Sequence, residues 1–186
     1  WMLAFALRAD GWYLRQDIIW HKPNPMPESV RDRCTKSHEY LFLLSKNKRY
    51  YYDNEAIKEP VKQDWGTRDR TDGKYHNTGT GLQPHSGLTK SYTTKNKRSV
   101  WSITNKPYKG AHFAVFPPDL IEPCILAGSE QGDIILDPFM GTGTTAMVAK
   151  KHNRNYIGCE LHEDYASLQT DRIDSIPTPL PAIIWK

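Results

Sequence analysis

Asp137-Pro138-Phe139-Met140-Gly141-Thr142-Gly143-Thr144-Thr145 places a carboxylate, an aromatic ring, two glycines and three hydroxyls within nine positions. Residues of these types can seat a small polar ligand. Glycine at 141 and 143 lets the backbone turn sharply and approach a ligand closely. A helix beginning at Thr144 would aim N–H groups without intrahelical acceptors into the same space, which suits an anionic group. The elements that must carry this loop are legible on either side. Asp133 to Leu136 reads as a buried strand, Thr144 to His152 as a helix, and Tyr156 to Cys159 as the next apolar strand, with Glu160 at its end.

Several ligands compete for such a turn, and an ordinary strand-to-helix connection is the plainest reading. A phosphate loop needs Lys and then Ser or Thr after its last glycine; Thr144 and Thr145 stand there, which argues against a nucleoside triphosphate. A dinucleotide fingerprint fits better, because Gly141-x-Gly143-x-x-Ala146 meets its permissive form and Glu160 follows the next strand. That reading implies an NAD-type oxidoreductase domain. S-adenosylmethionine uses one acidic residue more. Its cationic sulfonium and ammonium suit Asp137, its carboxylate suits the helix N-terminus, and its ribose hydroxyls suit Glu160.

The same residues resemble the amino-directed DNA methyltransferases, which methylate the exocyclic amine of adenine or cytosine with S-adenosylmethionine. Asp137 to Thr145 is similar to the family's D-P-F-x-G-[ST]-G-T-T cofactor loop, and Gly158-Cys159-Glu160 to its ribose-binding acidic position. His112-Phe113-Ala114-Val115-Phe116-Pro117 resembles the segment that closes over the methionine end. Asp17-Ile18-Ile19-Trp20-His21-Lys22-Pro23 and His38 to Lys46 resemble paired structural strands. The resemblance assigns cofactor contacts to Asp137, Pro138, Phe139, Gly141, Gly143, Thr144 and Glu160, with Phe113 and Phe116 covering the methionine end. Phe139 taken alone would more simply be a core residue.

The order of these motifs resembles the subclass in which the catalytic motif comes first, then the target-recognition region, then the cofactor loop. The implied fold is an α/β, Rossmann-like S-adenosylmethionine-dependent methyltransferase sheet, circularly permuted and incomplete, with a long polar insert. In that subclass a [DNS]-P-P-[YFW] tetrapeptide holds the target amine and stacks on the base. This chain has none: its only Pro-Pro pair lies in Phe116-Pro117-Pro118-Asp119, and Asn24-Pro25-Met26-Pro27 also departs from the pattern. No catalytic residue is therefore assigned. Trp1, Leu3, Phe5 and Leu7 open the chain within an apolar helical pattern that has no preceding cap. The expectation is an N-terminal truncation, with the tetrapeptide and about two further strands elsewhere. A module that binds cofactor or DNA without turnover is the other alternative.

Composition sets looser bounds. The chain has 186 residues, 38% of them hydrophobic, enough for one core, and a formal net charge of +4 that decides little alone. Distribution is more telling. Between Ser86 and Gly110 the basic residues Lys90, Lys95, Lys97, Arg98, Lys106 and Lys109 occur with no acidic residue, interleaved with Tyr92, Trp101 and Tyr108. Phosphate neutralisation combined with base stacking would use such a surface, so these six are the candidate DNA contacts; a solvated basic loop is the alternative. Cys34, Cys124 and Cys159 are widely separated and odd in number, and no third and fourth donor joins His38, Glu39 or His112 at metal spacing. No metal is expected. With no spanning apolar run and no signal peptide, neither membrane insertion nor secretion is indicated, and a cytoplasmic protein of bacterial or phage origin is expected. Expected partners are double-stranded DNA, a cognate restriction enzyme and a second copy of the chain.

The remaining elements follow from periodicity and punctuation. Trp1 to Ala9 reads as a helix, Arg15 to His21 as a strand, and His38 to Ser45 with Arg49 to Asp53 as a hairpin. Asp119 to Ala127 reads as a helix opened by Pro118 and stopped by Gly128, and His162 to Asp174 as another. Residues 1–53 and 100–175 thus form a partial methyltransferase core. Residues 54–99 are too polar to pack and read as a target-recognition insert or a disordered one; 176–186 form a tail.

Overall fold

The computed structural model describes residues 1–61, 93–105 and 115–177. Tyr13–His21 (β1) pairs antiparallel with His38–Ser45 (β2), from Tyr13 opposite Ser45 to His21 opposite His38. Val100–Ser102 (β5) lies parallel along the other edge of β1, giving the order β2-β1-β5. Alternation assigns the two faces. Ile18, Trp20 and Trp101 are buried together with Leu41 on one side, whereas Tyr40 and Phe42 meet the ring of Trp1 on the other, at 5.7 and 4.9 Å.

Met2–Ala9 (α1) buries Ala4 but leaves Met2, Leu3 and Phe5 exposed. The apolar pattern at 1, 3, 5 and 7 is the reason: a spacing of two cannot share one helical face. Pro118–Gly128 (α2) links two of the apolar clusters. Leu120, in its first turn, packs on the Trp20 and Trp101 cluster, and Ile125, one turn later, packs on Val148 and Ala149 of Thr144–Lys151 (α3). Glu122 pins the same helix pair, accepting from Lys151 Nζ at 2.7 Å and His152 Nε2 at 2.6 Å. The Lys151 bond, and then the His152 bond, hold this carboxyl below its ordinary value against the opposing effect of burial.

A consequence is testable by denaturation. Glu122→Gln should lower stability at neutral pH by about 0.2–1 kcal/mol, the range for partly exposed pairs. Because the folded-state value is depressed, the contribution is complete above the unfolded carboxylate pKa and disappears as pH falls through the folded one. Urea midpoints of variant and wild type should therefore converge in acid.

Ile134–Asp137 (β6) and Asn155–Gly158 (β7) form a parallel pair connected by α3, and Glu163–Asp174 (α4) follows. The apolar sequence of β6 predicts a buried strand, yet Ile134 is 63% and Leu136 64% exposed. Ile135, which points the other way, packs under α2 and α3. Parallel strands ordinarily carry apolar residues on both faces because both are covered; among the described residues only one face of this pair is.

Arg49 to Asp53 is not a strand, and the expected hairpin is absent. Arg15 of β1 donates to Ser45 Oγ at 2.8 Å and to the carbonyls of Asn47 and Lys48 at 2.9 and 2.7 Å. These bonds steer the chain away from the β2 edge, and the Asp53 N–H bonds the Ala127 carbonyl at the end of α2.

The residues divide into two compact units, Trp1–Ile57 with Arg98–Lys186, and Lys58–Lys97. In the smaller unit, Glu59–Pro60 (β3) pairs antiparallel with Thr94–Lys95 (β4), and Lys97 Nζ lies 3.4 Å from Glu59 Oε1. Polar composition gives no signal for this short ladder, which uses backbone pairing rather than an apolar face.

Candidate cofactor site

The site begins where β6 ends. Asp137 lies opposite Gly158 in the parallel register, and the chain is tied there by Cys159 N–H to Asp137 O at 3.0 Å and Met140 N–H to Cys159 O at 2.9 Å. Between those ties the loop makes its turn. Gly141 and Gly143 have φ of +54° and +79°, in the left-handed region that L side chains rarely adopt, and Gly143 forms the N-cap of α3. Thr142, Thr144 and Thr145 are buried, and the Thr145 hydroxyl bonds back to Asp137 at the start of the loop.

Two carboxylates flank it. Asp137 accepts the Phe139 N–H at 3.0 Å through one oxygen and the Thr145 hydroxyl at 2.5 Å through the other. The chain's own acid is thus bonded to the first turn of α3. Glu160 accepts the Gly141 N–H at 2.7 Å and the His162 N–H at 2.8 Å. The His162 bond, followed by those of Gly141 and Leu161, holds its carboxyl below the ordinary value despite some desolvation. It is ionised at neutral pH. Each carboxylate oxygen has two lone-pair directions, so both acids keep acceptor capacity for a ligand.

Apolar surface adjoins these charges. Phe139 is 87% exposed rather than packed in the core of the described residues, and Leu161, next to Glu160, is fully exposed. Phe116 packs against the Trp20 and Trp101 cluster and lines a cleft of about 400 Å³ with Leu136, Asp137 and Thr145. Asp137, Pro138, Phe139, Gly141, Gly143, Thr144, Glu160 and Phe116 are therefore all on the loop or beside it, Thr144 as a buried helix residue. Phe113 lies outside the described residues.

A family model described as DNA methylase, for N6 and N4 methyltransferases, matches residues 2–171. The chain belongs to this DNA methylase family. Type II methyltransferase M.SmaI of Serratia marcescens is 51% identical over 173 residues, 93% of this chain and 50% of the relative. M.XycI of Xanthomonas campestris pv. cyanopsidis is 47% identical over 173 residues, 93% of this chain and 48% of the relative. This DNA methylase chain spans about half the length of those curated relatives. Among solved structures, the cytosine-N4-specific PvuII DNA methyltransferase shares the fold, with a TM-score of 0.65 over 98% of this chain and 57% of that one at 18% identity. TTHA0409 of Thermus thermophilus, complexed with S-adenosyl-L-methionine, aligns at 25% identity and a TM-score of 0.58, covering 94% of this chain and 59% of that one. The chain shares the α/β methyltransferase fold of these two structures.

The basic residues are less unified. Lys90, Lys106 and Lys109 lie outside the described residues. Lys95 is on β4, Lys97 is paired with Glu59, and Arg98 is exposed. Trp101, read from sequence as a stacking ring within the basic segment, is only 6% exposed. Its ring fills the Ile18, Trp20 and Leu120 cluster, and its indole N–H donates to the Arg98 carbonyl at 2.7 Å.

Three further residues of this chain escape the sequence reading: Thr145 as the partner of Asp137, and Gln169 and Arg172, which reach the loop from α4. Position 145 belongs to the motif, but no local pattern marks 169 and 172.

Proposed function

We propose that this chain is the cofactor-binding part of an enzyme that methylates an exocyclic amine of adenine or cytosine in DNA with S-adenosylmethionine. One observation carries the reading. The Asp137 and Glu160 carboxylates are bonded to loop amides only two residues apart, so the glycine turn is bracketed by negative charge. A pyrophosphate would meet repulsion beside Asp137, whereas a ligand with a cationic end and a ribose has a use for both acids. Exposed Phe139 and Leu161 give an aromatic base an apolar surface, and the Phe116 cleft is large enough for an amino-acid end. The type II methyltransferase relatives, and TTHA0409 in complex with S-adenosyl-L-methionine, support the same choice.

When bound, S-adenosylmethionine supplies an electrophilic methyl group on a sulfonium. The chain's residues supply orientation, which is most of what an in-line displacement requires of an enzyme. Asp137 neutralises the cationic end, Glu160 holds the ribose, and Phe116 excludes water from the cleft. Pro138, Gly141, Gly143 and Thr144 shape the turn.

The target amine is held elsewhere, by a [DNS]-P-P-[YFW] tetrapeptide that these 186 residues do not contain. The face of the β6–β7 pair that is uncovered among the described residues supports this division, because Ile134 and Leu136 are exposed on it. A permuted order, with that layer preceding α1, is the arrangement we propose. Double-stranded DNA is the proposed substrate, with Lys90, Lys95, Lys97, Arg98, Lys106 and Lys109 as proposed phosphate contacts and residues 54–99 as the recognition insert. Extracting the target base from the duplex costs a few kcal/mol, so those contacts must hold bent or opened DNA. A cognate restriction endonuclease, suggested by the relatives' type II designation, and cytoplasmic location complete the proposal. Among the described residues no helix is long and apolar enough to cross a membrane.

Calorimetry with S-adenosylmethionine and NAD, paired with tritiated-methyl transfer to duplex DNA, tests both halves. Binding of S-adenosylmethionine alone, with no transfer by these residues by themselves, is expected. Binding of NAD in its place would overturn the cofactor, and robust transfer would overturn the division of labour.

A further inference from the structure

The glycine loop is gripped from behind by one face of α4. Gln169 Nε2 donates to the Gly141 carbonyl at 2.7 Å, and Arg172 Nη1 donates to Thr142 Oγ1 at 2.6 Å. The side chains of Ile173 and Gln169 close the third position, standing 3.3–3.5 Å from where a Cβ on Gly143 would lie. Residues 169, 172 and 173 recur at the spacing that places side chains on one helical stripe. Three successive loop residues, 141 to 143, are thus each met by a side chain of the same helix. Ile173 is buried with Met140 and Ala146, so the stripe is anchored in the core below the loop.

This grip has a physical purpose. A backbone with two left-handed residues in three is easily lost to other conformers when glycine supplies it, because glycine has many. Glu160 holds Gly141 by its N–H; Gln169 holds the same residue by its carbonyl. Both peptide planes flanking Gly141 are therefore fixed before any ligand arrives.

The geometry points to Gln169 and Arg172 as positioning residues that set cofactor affinity by preorganising the loop, without touching the cofactor. The inference rests on the S-adenosylmethionine reading above. Gln169→Leu keeps the packing against Gly143 and removes the donor. Arg172→Lys keeps a donor for Thr142, whereas Arg172→Met removes it.

Calorimetric affinity for S-adenosylmethionine, amide exchange at residues 141–143 in the ligand-free chain, and the urea midpoint would be measured on each variant. Gln169→Leu and Arg172→Met should each bind about tenfold more weakly, near the upper end of what one hydrogen bond contributes. Loop exchange should quicken while the urea midpoint stays near that of wild type, and Arg172→Lys should recover most of the affinity. If wild type binds and the two variants bind equally well, the positioning role is wrong. Affinity lost only in proportion to the urea midpoint would overturn it too, leaving a merely structural contact. No binding by wild type would instead sink the cofactor reading, and this inference with it.

Discussion

Asp137→Asn should weaken S-adenosylmethionine binding by about 10–100-fold, the range for losing a charged partner at a partly buried site, while leaving the loop folded. The two effects separate because of how this carboxylate is bonded. Asparagine retains an oxygen for the Phe139 N–H, and its amide can donate to the Thr145 hydroxyl, which rotates to accept. Only the charge is removed. Thr145→Val is the converse change, because it deletes the donor and preserves the acid. Its main expected effect is on stability, about 1 kcal/mol for a hydrogen bond lost to a half-buried group, with affinity nearly retained. Calorimetry and urea denaturation on the two variants give opposite patterns if Asp137 meets the cationic end of the ligand. Unchanged affinity in Asp137→Asn would mean that the carboxylate serves the loop alone.

Acid should act on the other side of the site. Glu160 is held below its ordinary value by the amides of His162, Gly141 and Leu161, so its contribution is complete above the unfolded carboxylate pKa and fades as pH falls through the folded one. The bond from the Gly141 N–H weakens over the same interval, because a neutral carboxyl accepts less strongly than a carboxylate.

The cofactor loop is legible in the sequence because its requirements are local. A carboxylate at a strand end, glycines where φ is positive and a helix start all fall within nine residues, and each leaves a mark in residue type. The antiparallel pairing of β1 with β2 follows from the resemblance to the family's paired strands, whereas composition alone pairs His38 to Ser45 with Arg49 to Asp53 instead. What escapes is whatever depends on distant partners. Tyr50, Tyr51 and Tyr52 have the composition of a strand, but Arg15, more than thirty residues earlier, reaches the preceding turn and the edge is abandoned. Trp101 sits among basic residues in sequence and in the apolar core in space. The hold of Gln169 and Arg172 on the loop spans a helix and a strand, and a polar helical residue gives no sign of which backbone it serves. Ile134 and Leu136 read as buried by their type, and among the described residues they are exposed.

Gly158→Ala is expected to destabilise the chain although it adds a single methyl group. Gly158 is an extended residue of β7, and its backbone angles would admit alanine without strain; the obstacle is Met140. A Cβ at 158 would fall 1.6 Å from Met140 Cε, 2.6 Å from Sδ and 3.0 Å from Cβ, so the whole methionine side chain lies across the position. Met140 is 7% exposed and packs with Ala146 and Ile173. Methionine is adaptable, and its terminal methyl could swing aside, but the contact with its Cβ ties the clash to the loop backbone as well. Overpacking of this kind costs about 1–3 kcal/mol. The strain would pass to the cofactor turn, because Met140 N–H bonds Cys159 O and Gly143 N–H bonds Met140 O. Met140→Ala alone should also destabilise, by about 2–5 kcal/mol for a buried methionine. The double variant should be more stable than the sum of the two losses predicts, since the new methyl occupies space that the methionine has vacated. Urea denaturation of the four proteins gives the coupling directly. Strict additivity would show that the close approach of Met140 to Gly158 does not govern the packing of the loop on β7.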